Sequence, residues 1–505
     1  METFDVAVVG GGITGASAAN HLISLGFSTV LLDRGDIGGA TSGRTSRLQY
    51  CGLSYFSTIQ SLGKIAAHPV ESLEGVAMAR RAMKNRSEFV RSNPERVRAV
   101  TFHFPLYKED TFPLWQVRAG FSLLQRLDPR GVPLDIVQIT PDQARRHPML
   151  SRMRDLDRLA GVLQYTEYQF DWPERIVADA ALNAEELGAR ILNYTLVAGI
   201  TQNADKSWML DCLDRRSGER RSLRARALVN TAGVWVDQLA ASSKLGLPRL
   251  NQGAKGVNIM FRLPDAFRGL GFETMTRGGE PFYVIPWDDL HYIGPRNKPH
   301  DGGPDGFLVE EQEIADLLDE MNYQFPSLNL KRRDLRYAWA GVRPRTAHRH
   351  EAAGGHISML HDMSGQGAPN YYCYTGGLLM THRTAGRTIA RAVAKRTKPS
   401  RPAQPEQLVA RAFPRADNSS PLPGAYRDLR WGDLRHAAAH EHVHTFDDLM
   451  FRRVRLGWTE RMGADIAHDV AAEVRDVLGW SPEEANARAN AYINDLRTTF
   501  HFVEP

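Results

Sequence analysis

A strand, a glycine triplet, a helix and a terminal acid occupy the first 33 residues in an order that leaves little choice of local fold. Phe4-Asp-Val-Ala-Val-Val9 is a short apolar run suited to a parallel strand covered on both faces. Gly10-Gly11-Gly12-Ile13-Thr14-Gly15 follows at once, and a helical pattern begins behind it. A second apolar run, Ser28-Thr-Val-Leu-Leu32, ends on Asp33, 18 residues past Gly15. The pattern is a βαβ unit carrying G-x-G-x-x-G at Gly10, Gly12 and Gly15. Gly10 permits the tight turn, Gly12 lets backbone approach a pyrophosphate, and Gly15 lets helix pack on strand. The N-terminus of a helix beginning near Gly15 then stabilises phosphate charge, with Ile13 and Thr14 in the same contact. Asp33 would accept hydrogen bonds from a ribose, and Arg34 adjoins it. A dinucleotide site is therefore predicted here.

The next stretch narrows the cofactor. Gly38-Gly-Ala-Thr-Ser-Gly-Arg-Thr-Ser-Arg47 is rich in hydroxyls and small residues, so it can run along a long cofactor and donate to its phosphates. The chain resembles the FAD-dependent glycerol-3-phosphate dehydrogenases, within the D-amino-acid-oxidase-like flavoproteins. Thr41, Ser42 and Ser46 match the family's Thr-Ser-x-x-Ser stretch. Ala227-Leu-Val-Asn-Thr-Ala-Gly-Val-Trp235 looks like its strand returning to the flavin, with Ala232 and Gly233 at the contact. Tyr283-Val-Ile-Pro-Trp287 with Tyr292-Ile-Gly294 looks like its substrate-domain hairpin. Ala340-Gly-Val-Arg-Pro344 and Thr375-Gly-Gly-Leu-Leu-Met-Thr-His-Arg383 look like its two segments around the isoalloxazine, the second placing Gly376, Gly377, Leu378 and Leu379 beside the ring. Thr445-Phe-Asp-Asp-Leu-Met-Phe-Arg-Arg-Val-Arg-Leu-Gly-Trp458 resembles its C-terminal helical motif. The resemblance implies bound FAD and hydride transfer from a substrate carbon to the flavin N5.

The pocket departs from that family. Its His-Gly-Gly-Leu-Arg-Tyr stretch is matched by Tyr50-Cys-Gly-Leu-Ser-Tyr55, so Ser54 replaces a phosphate-binding arginine. Its Lys-Gly-Ser-His is matched by Lys255-Gly-Val-Asn258, so Asn258 replaces a candidate base. Leu378 stands for a lysine, and Arg296 for a neutral threonine. Arg343, Tyr55, Lys255, Asn258, Arg296 and His382 are the candidate substrate-side residues. Arg343 is the expected anchor for an anionic group, and Arg296 could add to it. His382, His291, Tyr50 and Tyr55 are open alternatives for the missing base. Cys51 could attach a flavin covalently or simply pack beside Gly52. These changes predict a small hydroxylated, anionic substrate other than glycerol-3-phosphate. An amine or amino-acid oxidase, and a flavin-binding interaction protein without catalysis, are the alternative readings.

The fold expected is mixed α/β and α+β, an FAD-binding Rossmann-like domain interleaved with a β-sheet substrate domain, plus a C-terminal helical domain. Residues 1–75, 155–240 and 337–400 are assigned to the first, 76–154 and 241–336 to the second, and 401–505 to a linker and the helical unit. Lys206–Arg226 reads as a hairpin with a basic turn. Thr445 with Asp448, and Ser481-Pro-Glu-Glu, read as helix starts. Residues 430–500 are expected to support stability or association rather than chemistry. Three scattered cysteines in 505 residues give neither a disulfide framework nor a metal spacing, which points to a reducing compartment. The chain opens directly on a strand, and no apolar run of about 18 residues occurs, so a cytoplasmic protein is expected. A net charge of +5 suits anionic substrates or peripheral contact with an inner membrane surface. No nucleic-acid motif is present. No second glycine fingerprint follows a strand, so electrons should leave to a quinone, an electron-transfer protein or oxygen. Association into oligomers is open.

Overall fold

The computed structural model describes residues 1–53, 69–300, 308–348, 351–355, 358–414 and 419–504. Tyr55, Ser54 and Asn418 lie outside them. Among the described residues the strands form two sheets. The first has eight strands built on a parallel core. Glu2–Val9 lies between Thr29–Leu32 and Arg220–Asn230, and Arg220–Asn230 pairs in turn with Tyr371–Thr375. The central runs Val6-Ala-Val8 and Val30-Leu-Leu32 are fully buried, between helices on one face and, on the other, Val197, Trp208 and Leu210 of neighbouring strands with Val236 and Leu239. Lys206–Arg226 forms the expected hairpin, Trp208–Asp214 pairing antiparallel with Arg220–Asn230.

The second sheet has ten strands and is mainly antiparallel. Two of its strands were assigned to the nucleotide unit from sequence. Leu159–Phe170 instead pairs with Val97–Tyr107, and Leu335–His348 pairs with Asn251–Phe261 along its length. The apolar sequence alone does not say which sheet a strand joins.

The two faces of this sheet have separate tasks. Side chains of directly paired antiparallel residues share a face. Val257, Ile259 and Ile293 pack with Ile314, Leu317 and Met321 of the helix Glu311–Gln324. On the opposite face, Met260, Tyr292, Trp287 and Trp339 join one core with Phe451, Trp458 and Phe500 of the C-terminal region. That region holds the helices Trp431–His440, Ala467–Leu478 and Pro482–Thr499. Ser481 caps the last as expected, its Oγ accepting from Glu484 N at 3.2 Å. Thr445 and Asp448 do form a reciprocal capping pair, but a π-helical turn, Asp448–Arg453, follows rather than an α-helix.

The segment from 401 to 414 has no regular structure, as its prolines require, yet it is not a free tether. Arg401 N donates to Gly26 O and Gln404 N to Ser24 O, fixing it against the first helix.

Candidate active site

The glycine turn shows why each glycine is needed. The helix runs Ile13–Ser24 with Gly12 as its N-cap, starting two residues earlier than the sequence suggested. Gly10 has φ +109°, and a Cβ there would lie 2.5 Å from Thr231 O. At Gly15 a Cβ would come within 1.8 Å of Gly10 O, so helix and turn touch backbone to backbone. Gly12 differs: a Cβ there would meet only Ser42 Oγ, at 3.1 Å. Gly10 and Gly15 therefore serve packing, while Gly12 faces a space kept clear. Gly12 and Thr14 are half-buried between buried neighbours.

Asp33 holds this turn together. Its Oδ2 accepts from Gly11 N at 2.6 Å and its Oδ1 from Gly35 N at 2.8 Å. Burial nevertheless pushes its carboxyl above the ordinary value. Each oxygen retains a lone pair for a ribose hydroxyl. The Arg34 guanidinium lies 4.2 Å over the Trp235 ring.

The hydroxyl-rich loop stitches the turn to the second sheet. Ile13 N donates to Ser42 Oγ at 3.0 Å, and Thr41 Oγ1 donates to Val342 O at 2.5 Å. Ser46 O accepts from the Tyr292 hydroxyl at 2.7 Å. Arg343 Nη2 reaches Ser46 Oγ at 3.4 Å, and Nη1 donates to Asn297 Oδ1 at 2.8 Å. Among the described residues no carboxylate lies within 4.0 Å of the Arg343 guanidinium. Burial, with Arg345 nearby, pulls its pKa down to about 10, which leaves it charged at neutral pH. A half-buried cation with only neutral partners favours an incoming anion.

Register then sorts the remaining candidates. Arg343 is opposite Ala254, Gly341 opposite Gly256 and Trp339 opposite Asn258, so Asn258 shares the Arg343 face. Lys255 and Arg296 do not. Lys255 is paired with Val342 and turns to the helix Glu311–Gln324, where its Nζ donates to Glu313 Oε2 at 2.7 Å. Arg296 meets Asp316 of the same helix at 2.9 Å. Both predicted site residues are thus corrected to the far face of the sheet, a consequence of the period of two. His291 lies on that far face too, its Nε2 2.9 Å from Phe267 O.

His382 is corrected as well. It opens the helix His382–Ala394, which packs on Ile13–Ser24. Its Nδ1 is 2.8 Å from Leu379 O, and its ring meets Phe89 edge-on. Burial and Arg383 push its pKa down to about 3, so it stays neutral and is a poor proton acceptor at neutral pH. Cys51 is fully buried, and its thiol is raised well above the ordinary value by burial.

A FAD dependent oxidoreductase family model, DAO, matches residues 5–397. The chain belongs to the DAO family of FAD-dependent oxidoreductases. A second model, the C-terminal domain of alpha-glycerophosphate oxidase, matches residues 390–485 of this oxidoreductase. It is similar to a glycerol-3-phosphate dehydrogenase of Synechocystis, 27% identical over 437 residues, covering 84% of this chain and 73% of the relative. An aerobic glycerol-3-phosphate dehydrogenase of Staphylococcus epidermidis is also 27% identical, with 78% and 68% covered. In fold it matches the glycerol-3-phosphate dehydrogenase of Bacillus halodurans complexed with FAD, with TM-score 0.73, 20% identity, and 98% and 95% of the chains covered. Glycine oxidase from Geobacillus kaustophilus shares the fold at TM-score 0.56 and 21% identity, with 82% and 100% covered.

The residues present suit FAD. The space beside Gly12, the N-terminus of Ile13–Ser24 and the Ser42 hydroxyl form a cradle that a single Cβ at Gly12 would obstruct. Ala232 and Gly233, and Gly376, Gly377, Leu378 and Leu379, are half-buried at turns ending the strands Arg220–Asn230 and Tyr371–Thr375. These turns follow the carboxyl ends of parallel strands, where ligands of open α/β sheets bind.

Sequence reasoning missed a cluster in this oxidoreductase. Tyr283 lies opposite Gly294 on one side and Glu273 on the other. Buried Tyr165 donates to Glu273, and Glu167 beside it pairs with Arg86 at 3.3 Å. The available signal was an acid inside an apolar strand, Leu270-Gly-Phe-Glu-Thr-Met275.

Proposed function

We propose that this FAD-dependent oxidoreductase oxidises a small hydroxylated anion, a polyol phosphate or a hydroxy acid, with Arg343 holding the anionic group. Bound FAD supplies the hydride acceptor at N5. In this reading Gly10, Gly12, Ile13, Thr14 and Gly15 hold the pyrophosphate, and Asp33 and Arg34 face the ribose end. Thr41, Ser42, Ser46, Ala232, Gly233, Gly376, Gly377, Leu378 and Leu379 line the rest of the cofactor. The observation that carries the reading is the lack of a carboxylate partner for Arg343 among the described residues, beside Ser46 of the cofactor loop. A fixed guanidinium at that point orients the substrate carbon toward the flavin. Electrons then pass to a quinone, an electron-transfer protein or oxygen, and the basic surplus suits peripheral contact with a membrane surface. Among the described residues no helix is long and apolar enough to cross a membrane.

Glycerol-3-phosphate itself fits poorly. Leu378 and Asn258 stand where the resembled dehydrogenases have lysine and histidine, and Ser54 where they have arginine. Two missing charge-assisted contacts, at about 1.5–3 kcal/mol each, weaken phosphate binding by about two to four orders of magnitude. Steady-state kinetics test this. The expected kcat/KM for glycerol-3-phosphate lies well below ~10⁴ M⁻¹s⁻¹, the lower end for enzymes on their own substrates. A value of roughly 10⁴ M⁻¹s⁻¹ or above would make glycerol-3-phosphate the substrate. Asn258, which cannot take a proton, favours a second reading, an amine or amino-acid substrate, because a neutral amine needs no hydroxyl deprotonation.

A further inference from the structure

We propose that Tyr283 and Glu273 accept the substrate's hydroxyl proton: Tyr283 takes it and passes its own phenolic proton to the Glu273 carboxylate. The inference rests on the alcohol-oxidation reading above and supplies the base that Asn258 cannot be. The substrate carbon gives up a hydride, with its electron pair, to the flavin. The hydroxyl oxygen loses its proton to Tyr283 Oη, and a carbonyl remains. Glu273 ends neutral and returns the proton by the same route after product leaves.

The geometry is a row across the sheet. Asn258 is followed by Gly294, Tyr283 and Glu273 on adjacent strands. Gly294 keeps the middle open: with φ +141°, it has no side chain where a Cβ would sit 2.9 Å from Asn258 Oδ1. Tyr283 is half-buried, whereas Glu273 and Tyr165 are buried. Tyr283 is also near enough to Arg343 to favour its charged form. Tyr283 therefore stands between the anion site and the buried acid.

Glu273 is built to hold a proton. Tyr165 donates to it, and Tyr283 lies directly opposite it on the neighbouring strand, so the two side chains share a face. The other titratable groups around this pocket are Glu167, Cys51 and Tyr50. Glu167 is engaged by Arg86 and by Cys51 N at 2.6 Å. Among the described residues no arginine or lysine pairs with Glu273. Burial pushes its carboxyl up to about 7, with the neighbouring Glu167 charge adding to that. A general base works best with a pKa near the operating pH. An unpaired buried carboxyl costs stability, and such groups collect at functional sites.

Two measurements on FAD-loaded protein decide it. Infrared titration without substrate should show a protonated-carboxyl band that grows as pH falls through neutrality and is missing in Glu273→Gln. Anaerobic flavin reduction, with glycerol-3-phosphate and glycerate as probes, should accelerate with pH around neutrality. Tyr283→Phe should slow it by about 10²-fold or more, in keeping with a lost general base, while FAD absorbance is retained. Glu273→Gln should abolish the pH dependence, and Glu273→Asp should restore part of it. The proposal is overturned if the band persists in Glu273→Gln or is absent from the wild type, or if Tyr283→Phe keeps the wild-type rate and profile. A flavin reduced by neither probe counts against the substrate reading, and the infrared band, which needs no substrate, then decides whether Glu273 exchanges a proton.

Discussion

Gly12 and Arg343 show how much one side chain controls here. Valine at Gly12 fills the space beside Ser42 that the turn keeps clear. The turn itself is spared, because Gly10 and Gly15, not Gly12, make its close backbone contacts. Gly12→Val should therefore fold with wild-type circular dichroism yet purify without a flavin absorption band. Retention of full flavin would place the pyrophosphate elsewhere. Arg343→Ala removes a charge-assisted contact of about 1.5–3 kcal/mol. The Michaelis constant for the best substrate should rise by roughly ten- to hundredfold, with the flavin still bound. An unchanged Michaelis constant would mean that Arg343 only ties Ser46 to Asn297.

At the scale of elements, the loop after the second strand is clamped by the C-terminal region. Buried Asp36 accepts from Arg453 Nη2 at 2.7 Å and from Arg452 Nε at 2.6 Å. Despite burial, the two guanidiniums bring its carboxyl down from 3.8 to about 2. A carboxyl depressed on folding stabilises above its unfolded pKa, and that stability is lost as pH falls through the folded one. The shift corresponds to about 2 kcal/mol, present above pH ~4 and lost between pH ~4 and ~2. Chemical denaturation across that range should show the loss. Asp36→Asn should remove it and lower stability at neutral pH by roughly 3–5 kcal/mol, since it leaves buried Arg453 without its carboxylate, while Arg452 keeps Asp448 at 2.5 Å. A variant with wild-type stability at both pH values would contradict the clamp. The nucleotide unit was legible because its signals are local: strand, turn, helix and acid lie within 33 residues. Lys255 and Arg296 were misread because a motif fixes a position on a strand but not the face it presents. The bulge between Val257 and Ile259, seen only once strands pair, sets Asn258 and Gly294 together. Glu273 and Tyr165 escaped for the same reason, being far apart in sequence and joined only by register.

For the whole molecule, cofactor loop, second sheet and C-terminal helices act as one body. Arg47 illustrates it: it pairs with Glu174 at 2.9 Å and lies within 4.5 Å of the Trp287 and Trp458 rings. The C-terminal helices therefore complete the core on the same face of the second sheet as Arg343, a larger part than their sequence suggested. The central claim is that this assembly oxidises a hydroxylated anion held by Arg343. Anaerobic titration of the FAD-loaded protein tests it most directly, with polyol phosphates and hydroxy acids in one set and amines and amino acids in another. Bleaching of the oxidised-flavin band by a member of the first set, lost or strongly weakened in Arg343→Ala, is the predicted result. Bleaching by the second set alone, or equal bleaching in Arg343→Ala, would contradict it.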